Sequence, residues 1–307
     1  SIPHITSREP LWDNPALRQE VDDGRHYLPG TMLGERETIV TSAIDARPEY
    51  LLRLPGSSWL PVLAGLGTAA FFLSLTVKAF VASAIGAIIA LVSIFKWLWQ
   101  SEPAPTNRLY DVGGGVKLPD HIVGRRSHSW WATVVLMLVD GTIFSCLLFA
   151  YFYFWTVSAR WPPPPFDLPD GVTSIAAAIA WVASAGVFFV AHRWLRDSLG
   201  RGSLVALLIA ATVLAWTALA FHFMALSDAN VRPDQHAYGA VLYTMLAWQG
   251  LHVVLATLMG GYTAARALAG MIDAMRRNTF DNTQLMAYYT VAQGLVVLLA
   301  MHAPRMS

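Results

Sequence analysis

Long apolar runs, separated by polar segments, fill the chain after residue 58. Seven of these runs reach about the 20 residues that a helix needs to cross a bilayer. The sequence therefore predicts an all-α, polytopic membrane protein, whose seven transmembrane helices comprise residues 59–80, 81–99, 129–155, 172–191, 203–226, 238–265 and 284–303. A long polar segment separates the second helix from the third, which indicates a two-plus-five arrangement.

This pattern divides the chain into four parts. Residues 59–100 form a two-helix transmembrane pair and residues 129–307 a five-helix bundle, joined by a cytoplasmic linker at residues 101–128. Residues 1–58 form a cytoplasmic N-terminal arm rich in Pro, Gly and charge, in which residues 38–44 are a candidate strand. The arm is interpreted either as an extended segment lying on a partner or as a disordered leader.

Glycine and proline mark two segments outside the predicted helices. DVGGG (111–115) lies in the linker, lacks the GK[ST] ending of a phosphate-binding loop, and is interpreted as flexible. WPPPPFDLPDG (161–171) follows the third helix. Because proline lacks the amide hydrogen and holds its predecessor extended, this second segment is predicted to be a stiff loop.

Composition agrees with a membrane location and argues against two other classes of protein. Hydrophobic residues make up 55% of the 307 and charged residues only 13%, about half the charged fraction of an ordinary soluble domain. The formal net charge of +1 gives no basis for binding nucleic acid. With a single cysteine, Cys146, the chain has no internal disulfide framework.

Basic residues are distributed unequally between the two sides of the predicted membrane. Seventeen of the 21 Lys and Arg lie in the arm, around the linker, or after the fourth and sixth helices. The other four lie at the opposite helix ends: Lys78, Arg160, Arg232 and Arg305. Because cytoplasmic loops are enriched in Lys and Arg, this bias predicts a cytoplasmic N-terminus and an odd number of spans.

One carboxylic acid, Asp140, lies near the middle of the third predicted helix. A charged side chain at the centre of a bilayer costs roughly 2.5–3.5 kcal/mol on insertion scales, so such residues usually face protein or water. Asp140 is therefore a candidate functional residue. The alternative is that it only bonds a neighbouring helix and fixes the packing, and the residue alone does not separate the two.

Two segments resemble a known family. The run DGTIFSCLLFAYFYFW, which begins at Asp140 and includes Tyr151, is similar to the third helix of subunit III of haem–copper cytochrome c oxidases, where a glutamate stands at the Asp140 position. WQGLHVVLATLM (248–259) is similar to that family's HGLHV segment, and the match includes His252. The Tyr238-Gly239 pair and the two-plus-five helix division also resemble subunit III.

The N-terminal arm carries a further resemblance. ITSREPLWD (5–13), GRHYLPG (24–30) and GERETIVTSAI (34–44) are similar to the tail that follows the last helix of subunit I in fused subunit I/III chains. The chain is therefore interpreted as the subunit III part of such a fusion, or as the product of a gene split from one.

Three departures from the family pattern indicate a divergent branch. Asp140 is one methylene shorter than the family's glutamate, and Gln249 replaces the first histidine of HGLHV. The WHFVD motif of the seventh helix has no counterpart in MAYYTVAQGLVVLLA (286–300). These changes leave open whether Asp140 has the proton-related role of the family's carboxylate.

The resemblance implies a non-catalytic subunit of a terminal oxidase that reduces oxygen to water and pumps protons. It implies oxidase subunits I and II as partners, with haem and copper in those partners and none in this chain, and cytochrome c as electron donor to the complex. The subunit would stabilise subunit I, hold phospholipid in a cleft, and aid proton uptake or oxygen access through Asp140 at the subunit I interface. The complex is expected in a prokaryotic cytoplasmic (inner) membrane.

The alternative function is a free-standing transporter or channel with seven spans. Transporters of this kind usually show internal repeats or helices broken near the membrane midplane. The sequence shows no such repeat and only one clear acid inside a span. A respiratory oxidase subunit is therefore the first hypothesis and a transporter the second.

Further candidate residues are assigned structural or lipid-contacting roles: Trp248, Gln249, His252, Tyr151, His128, Arg125 and Arg126. Polar side chains within a span usually bond across helices, and paired arginines near a membrane surface are candidate ligands of anionic lipid headgroups. The histidines in or near the spans lie at different predicted depths, so no haem or copper site is expected in this chain: His192, His222, His252 and His302.

Overall fold

Helices make up most of the molecule, with short strands in its N-terminal part. The structure, a computed structural model, describes residues 5–26, 36–54, 56–101, 109–113, 115–120, 128–196, 200–274 and 276–303. In chain order its elements are α1 (Pro10–Asp13), α2 (Leu17–Asp22), β1 (Arg36–Thr41), β2 (Pro48–Leu54), α3 (Leu60–Thr76), α4 (Phe80–Ser101), β3 (Leu109–Gly113), β4 (Val116–Pro119), α5 (His128–Val157), α6 (Gly171–Arg196), α7 (Arg201–Asp228), α8 (Ala237–Leu268) and α9 (Asn278–His302).

Among the described residues, six helices, α4 to α9, are long and apolar enough to cross a membrane. The predicted spans from 81–99 onward each fall on one of them. The chain is therefore a multi-pass membrane protein built mainly of helices. α3 is also apolar but has 17 residues, which extend over about 25 Å at 1.5 Å per residue, less than the ~30 Å of a hydrocarbon core.

The first predicted span, residues 59–80, ends earlier in the structure than expected. α3 stops at Thr76, and Lys78 takes a left-handed backbone conformation with φ of 58° before α4 begins at Phe80. A left-handed residue cannot continue an α-helix. The apolar run continues through this turn, so hydropathy alone overestimates the length of the helix.

The chain divides after Val123 into two compact units. In the first unit, two glycines let α3 and α4 pack backbone to backbone. A Cβ on Gly67 would lie 2.6 Å from the amide nitrogen of Ala90, and one on Gly86 would lie 2.6 Å from that of Phe71. Close contact between small residues is a common basis of helix association in membranes.

Two antiparallel hairpins lie in the same unit, β1 with β2 and β3 with β4. Leu51, Val112 and Leu118 form a small apolar core shared by both hairpins. The arm and the linker of the sequence prediction thus contribute strands to one cluster. The candidate strand at 38–44 is found in part, because β1 ends at Thr41.

Two other expectations for this unit differ from the structure. Within the arm, Pro10–Asp13 and Leu17–Asp22 form the short helices α1 and α2, whereas the sequence predicted either an extended segment or a disordered leader. The DVGGG segment, interpreted as flexible, begins inside β3. The Asp111 carboxylate accepts a hydrogen bond from the Gly113 amide at 3.0 Å, which stabilises this end of the hairpin locally.

The second unit is a bundle of five helices in which α9 is central. α6, α7, α8 and α9 pack side by side in that order, α6 also contacts α9, and α5 lies against α8 and α9. In α9, 56% of the most apolar stretch of the helix is buried, whereas in α5 the buried share is 6%. α9 therefore carries several of the polar side chains inside the bundle: Thr283, Gln284, Thr290 and Gln293.

The α7–α8 loop closes tightly at one end of the bundle. His236 caps α8, because its Nδ1 accepts a hydrogen bond from the Tyr238 amide at 3.0 Å. A Cβ on Gly239 would overlap the carbonyl oxygen of Arg232, so the Tyr238-Gly239 pair requires glycine for steric reasons. The hydrogen-bonded Arg232 guanidinium holds the pKa of the exposed Asp234 below its usual value.

Candidate functional site

Asp140 of α5 meets two other helices of the bundle. Its Oδ2 accepts hydrogen bonds from the Tyr289 hydroxyl at 2.6 Å and from the Gln293 amide nitrogen at 3.0 Å, both on α9. His252 Nε2, on α8, lies 3.0 Å from the same oxygen. These four residues, termed the carboxylate cluster, link three helices near the middle of their length.

The hydrogen bonds fix how many protons the Asp140–His252 pair holds. The Trp248 carbonyl oxygen lies 2.8 Å from His252 Nδ1 and can only accept, so Nδ1 carries a hydrogen. In a neutral imidazole Nε2 would then present a lone pair to the Asp140 oxygen. The 3.0 Å contact therefore contains one further proton, either on His252 as imidazolium or on Asp140 as carboxylic acid.

In either form the Asp140–His252 pair carries no net charge. An isolated carboxylate at this depth is costly, and pairing with a hydrogen-bonded partner is what makes such a group tolerable. Two further donors, Tyr289 and Gln293, satisfy the same oxygen. The cluster thus explains how one acid is accommodated in an otherwise apolar helix.

Helical spacing places each member of the cluster. Trp248 and His252 are four residues apart, so the histidine ring reaches the carbonyl of the preceding turn. Tyr289 and Gln293 are also four apart and share one face of α9. Gly141, next to the acid, also lies close to the tyrosine: a Cβ there would lie 3.4 Å from the Tyr289 hydroxyl, in van der Waals contact.

The cluster is enclosed mainly by the chain itself. The His252 side chain is 2% exposed and that of Asp140 is 18% exposed. The residues of α5 that flank the acid, Leu136, Val139 and Ile143, are exposed and apolar. Asp140 therefore bonds neighbouring helices, as the packing alternative requires, and remains narrowly accessible. Its position at an interface with another subunit stays a prediction.

Two neighbours of His252 on α8 lie beside the cluster. The Trp248 ring is half-buried, with its centre 5.7 Å from that of His252. Gln249 is 1% exposed, and its amide nitrogen donates to the Thr290 carbonyl of α9 at 2.7 Å. Gln249 thus bonds across helices, in agreement with the general behaviour of polar residues within spans.

The remaining candidate residues lie away from the cluster. Tyr151 is fully buried about 16 Å further along α5, and its hydroxyl accepts a hydrogen bond from the Trp161 indole at 3.1 Å. His128 is the exposed first residue of α5. Arg125 and Arg126 lie outside the described residues.

The histidine rings inside the bundle have partners within the chain. His192 Nδ1 lies 2.8 Å from Gln284 Oε1, and His222 Nε2 accepts a hydrogen bond from the Trp181 indole at 3.3 Å. Within the described ranges, no group of three or more His, Cys, Asp or Glu is placed to hold a metal ion.

Tyr289 and Gln293 are the members of the cluster that the sequence does not single out. Neither is charged, and the segment that contains them was notable mainly for lacking the family's His and Asp. A signal is present in retrospect: two polar side chains four residues apart on an apolar helix face the same neighbour. Only the packing of α9 against α5 identifies that neighbour as Asp140.

Comparisons with known proteins add no assignment to this geometry. The chain matches no model of a known protein family and no curated protein. The resemblance to subunit III of haem–copper oxidases therefore stays a prediction, which rests on the residues of α5, α8 and the arm.

Proposed function

We propose that this chain is a subunit III-like, non-catalytic subunit of a proton-pumping cytochrome c oxidase. In this proposal α3 also crosses the membrane, which brings the number of spans to seven. The N-terminus lies on the cytoplasmic side of a prokaryotic inner membrane. The chain stabilises subunit I, holds phospholipid, and aids proton uptake or oxygen access. Haem and copper belong to partner subunits I and II, and cytochrome c supplies the electrons.

The contact between Asp140 and His252 is the observation that supports this proposal most. The two segments that resemble subunit III, in α5 and α8, are 112 residues apart at these positions. Each contributes one residue to a single hydrogen bond of 3.0 Å. Two independent resemblances thus involve residues that are in contact. Chance matches to apolar helices would not be expected to fall on residues that touch.

The surface around the acid agrees with a partner at α5. Only 6% of the most apolar stretch of this helix is buried, so most of it is available to lipid or to another membrane subunit. The flanking residues, Leu136, Val139 and Ile143, offer an apolar surface with the partly accessible Asp140 between them. In the proposal this face meets subunit I.

Lipid binding in this proposal involves the segment just before α5. Arg125 and Arg126 carry the charge for a phosphate headgroup, and His128, exposed at the first position of α5, lies three and two residues away in sequence. Juxtamembrane cations attract anionic lipids over about a Debye length. Phospholipid bound there would lie at the cytoplasmic surface.

Purification of the tagged chain from its native membrane tests the assignment. We expect haem absorbance and a larger metal-bearing subunit to elute with it in mild detergent. A chain that elutes alone and colourless from membranes with oxidase activity would contradict the proposal and favour the transporter.

Replacement of the acid tests its role within the complex. We expect the Asp140→Ala oxidase to lose activity faster during turnover than the wild type. The control is Asp228→Ala, which removes an exposed acid at the end of α7. If the Asp140→Ala complex assembles normally and has an unchanged lifetime, Asp140 has only a packing role.

A further inference from the structure

Polar side chains continue into the bundle beyond the carboxylate cluster. Gln249 of α8, Gln293 of α9, Trp181 of α6 and His222 of α7 are each at most 3% exposed. We term these four residues the interior polar group. Gln293 belongs to both groups, because its amide nitrogen also donates to Asp140.

Contacts connect Gln249, Trp181 and His222, and Gln293 directly precedes Gly294, the glycine against which Gln249 and Trp181 pack. Gln249 Nε2 donates to the carbonyl of Thr290 at 2.7 Å, and Thr290 lies about one helical turn before Gln293. A Cβ on Gly294 would lie 3.0 Å from Gln249 Nε2 and 2.7 Å from Trp181 Nε1, so both nitrogens lie against this glycine. The Trp181 indole in turn donates to His222 Nε2 at 3.3 Å.

Three buried atoms of this group have no hydrogen-bond partner within the described part of the chain: Gln249 Oε1, Gln293 Oε1 and His222 Nδ1. Whether each atom is a donor or an acceptor follows from the hydrogen bond that the other polar atom of the same side chain makes. Turning either amide around would place its oxygen against a carbonyl or carboxylate oxygen. Since His222 Nε2 accepts the indole hydrogen, Nδ1 carries a hydrogen and is a donor.

Two acceptors and one donor are the pattern that water satisfies. A buried water typically makes about three hydrogen bonds to polar groups that have no other partner. A cation would be repelled by the His222 N–H group, and an anion by the two amide oxygens. The chemistry of this group therefore favours water over an ion.

We propose that the bundle binds water between Gln293, Gln249 and His222, forming a hydrogen-bonded path from Asp140 to α7. Because the Gln293 amide donates its own hydrogen to Asp140 and does not relay a proton, this path links the carboxylate cluster to hydrated polar groups inside the bundle by hydrogen bonds alone. This inference concerns the chain alone and does not depend on the oxidase assignment.

Hydroxyl-radical footprinting of the purified full-length protein tests the proposal. A millisecond X-ray pulse splits water into hydroxyl radicals, and a radical formed from a bound water oxidises the side chains beside it even where they are closed to the surface. With each rate divided by the intrinsic reactivity of its side chain towards the radical, we expect Trp181 and His222 to be oxidised several-fold faster than Phe280, which is also fully buried but lies in an apolar cluster. If neither Trp181 nor His222 is oxidised faster than Phe280, the proposal is wrong.

Two matched variants identify the site of the water. Gln249→Leu keeps the approximate volume but removes the amide, so oxidation of Trp181 and His222 should fall to the level of Phe280. Gln284→Leu is the control, because Gln284 is a buried glutamine of α9 whose nitrogen and oxygen both have partners. It should leave both rates unchanged.

Labelling that persists in Gln249→Leu would also overturn the proposed site. If the Gln249→Leu protein does not accumulate, Gln293→Leu takes its place with the same expected loss. The wild-type comparison decides the proposal without either variant.

Discussion

The Asp140–His252 contact predicts strong energetic coupling between α5 and α8. In an Asp140→Ala variant the Tyr289 hydroxyl, the Gln293 amide and His252 all lose their common partner. Breaking a buried pair by removing one member costs about 3–5 kcal/mol. We expect about 3 kcal/mol, the lower end of that range, because 18% of the Asp140 side chain is exposed.

Asp140→Asn separates the loss of charge from the loss of shape. All three partners lie against Asp140 Oδ2, so the asparagine keeps its oxygen there, where it still accepts from Tyr289 and Gln293, and the hydrogen bond with His252 is lost. We expect this variant to lose about 1 kcal/mol, the net value of one ordinary hydrogen bond. A loss as large as that of Asp140→Ala would mean that the pair depends on an ionised carboxylate.

A double-mutant cycle with His252→Ala isolates the contact itself. Residues in contact show interaction energies of about 0.5–3 kcal/mol, and we expect about 2 kcal/mol because both side chains are largely enclosed. The assay is unfolding of the purified protein in mixed micelles with increasing dodecyl sulfate, followed by tryptophan fluorescence. Additivity within about 0.5 kcal/mol would refute the contact and the shared proton inferred from it.

Two glycine substitutions test helix packing with internal controls. Gly67→Ala should separate α3 from α4 at a cost of about 1–3 kcal/mol in the same assay, whereas Gly65→Ala, with open space around it, should be neutral. Gly294→Ala should cost a similar ~1–3 kcal/mol, because its Cβ would lie 2.6 Å from the Trp181 ring, and Gly261→Ala serves as its control. Equal stability of a variant and its control would contradict the close approach concerned.

The membrane helices are the part of the fold that the sequence predicts well. A run of about 20 apolar residues has few alternatives to a helix in lipid, where every backbone polar group must be satisfied internally. The end of α3 is less predictable, because the apolar run continues past Lys78 and the turn depends on the backbone conformation of that residue. Hydropathy indicates whether a segment lies in lipid or in water, but it does not indicate the backbone dihedral angles at which a helix ends.

The hairpins are harder to predict because their stabilising contacts are not local. Strands β1 to β4 have four to seven residues each, too few for a clear alternating pattern. Their core joins Leu51 to Val112 and Leu118, which are separated in sequence by both helices of the pair. Such a contact has no signature within either segment.

The candidate site shows the same division between local and distant information. Asp140 is conspicuous because it is an acid in an apolar span, and His252 because it belongs to a recognisable segment. Their contact, and the contributions of Tyr289 and Gln293, depend on how α8 and α9 are rotated against α5. The sequence therefore predicts the important residues of two helices and misses those of the third.

The length of the acid follows from the residues around it. Three side chains already lie 2.6 to 3.0 Å from Asp140 Oδ2, so the cluster has no space for another methylene. Asp140→Glu moves the carboxylate by about one carbon–carbon bond, ~1.5 Å, and overpacking of this kind costs about 1–3 kcal/mol.

Shortening one of the three partners should then restore stability to the Asp140→Glu protein. Gln293→Asn removes one methylene from the cluster, so the double variant should recover part of the loss in the same unfolding assay. Gln284→Asn removes one methylene from the buried glutamine that lies outside the cluster and should give no recovery. Because only the position of the missing methylene differs between these variants, equal recovery in both would show that Asp140 does not have the close packing that its three hydrogen bonds require.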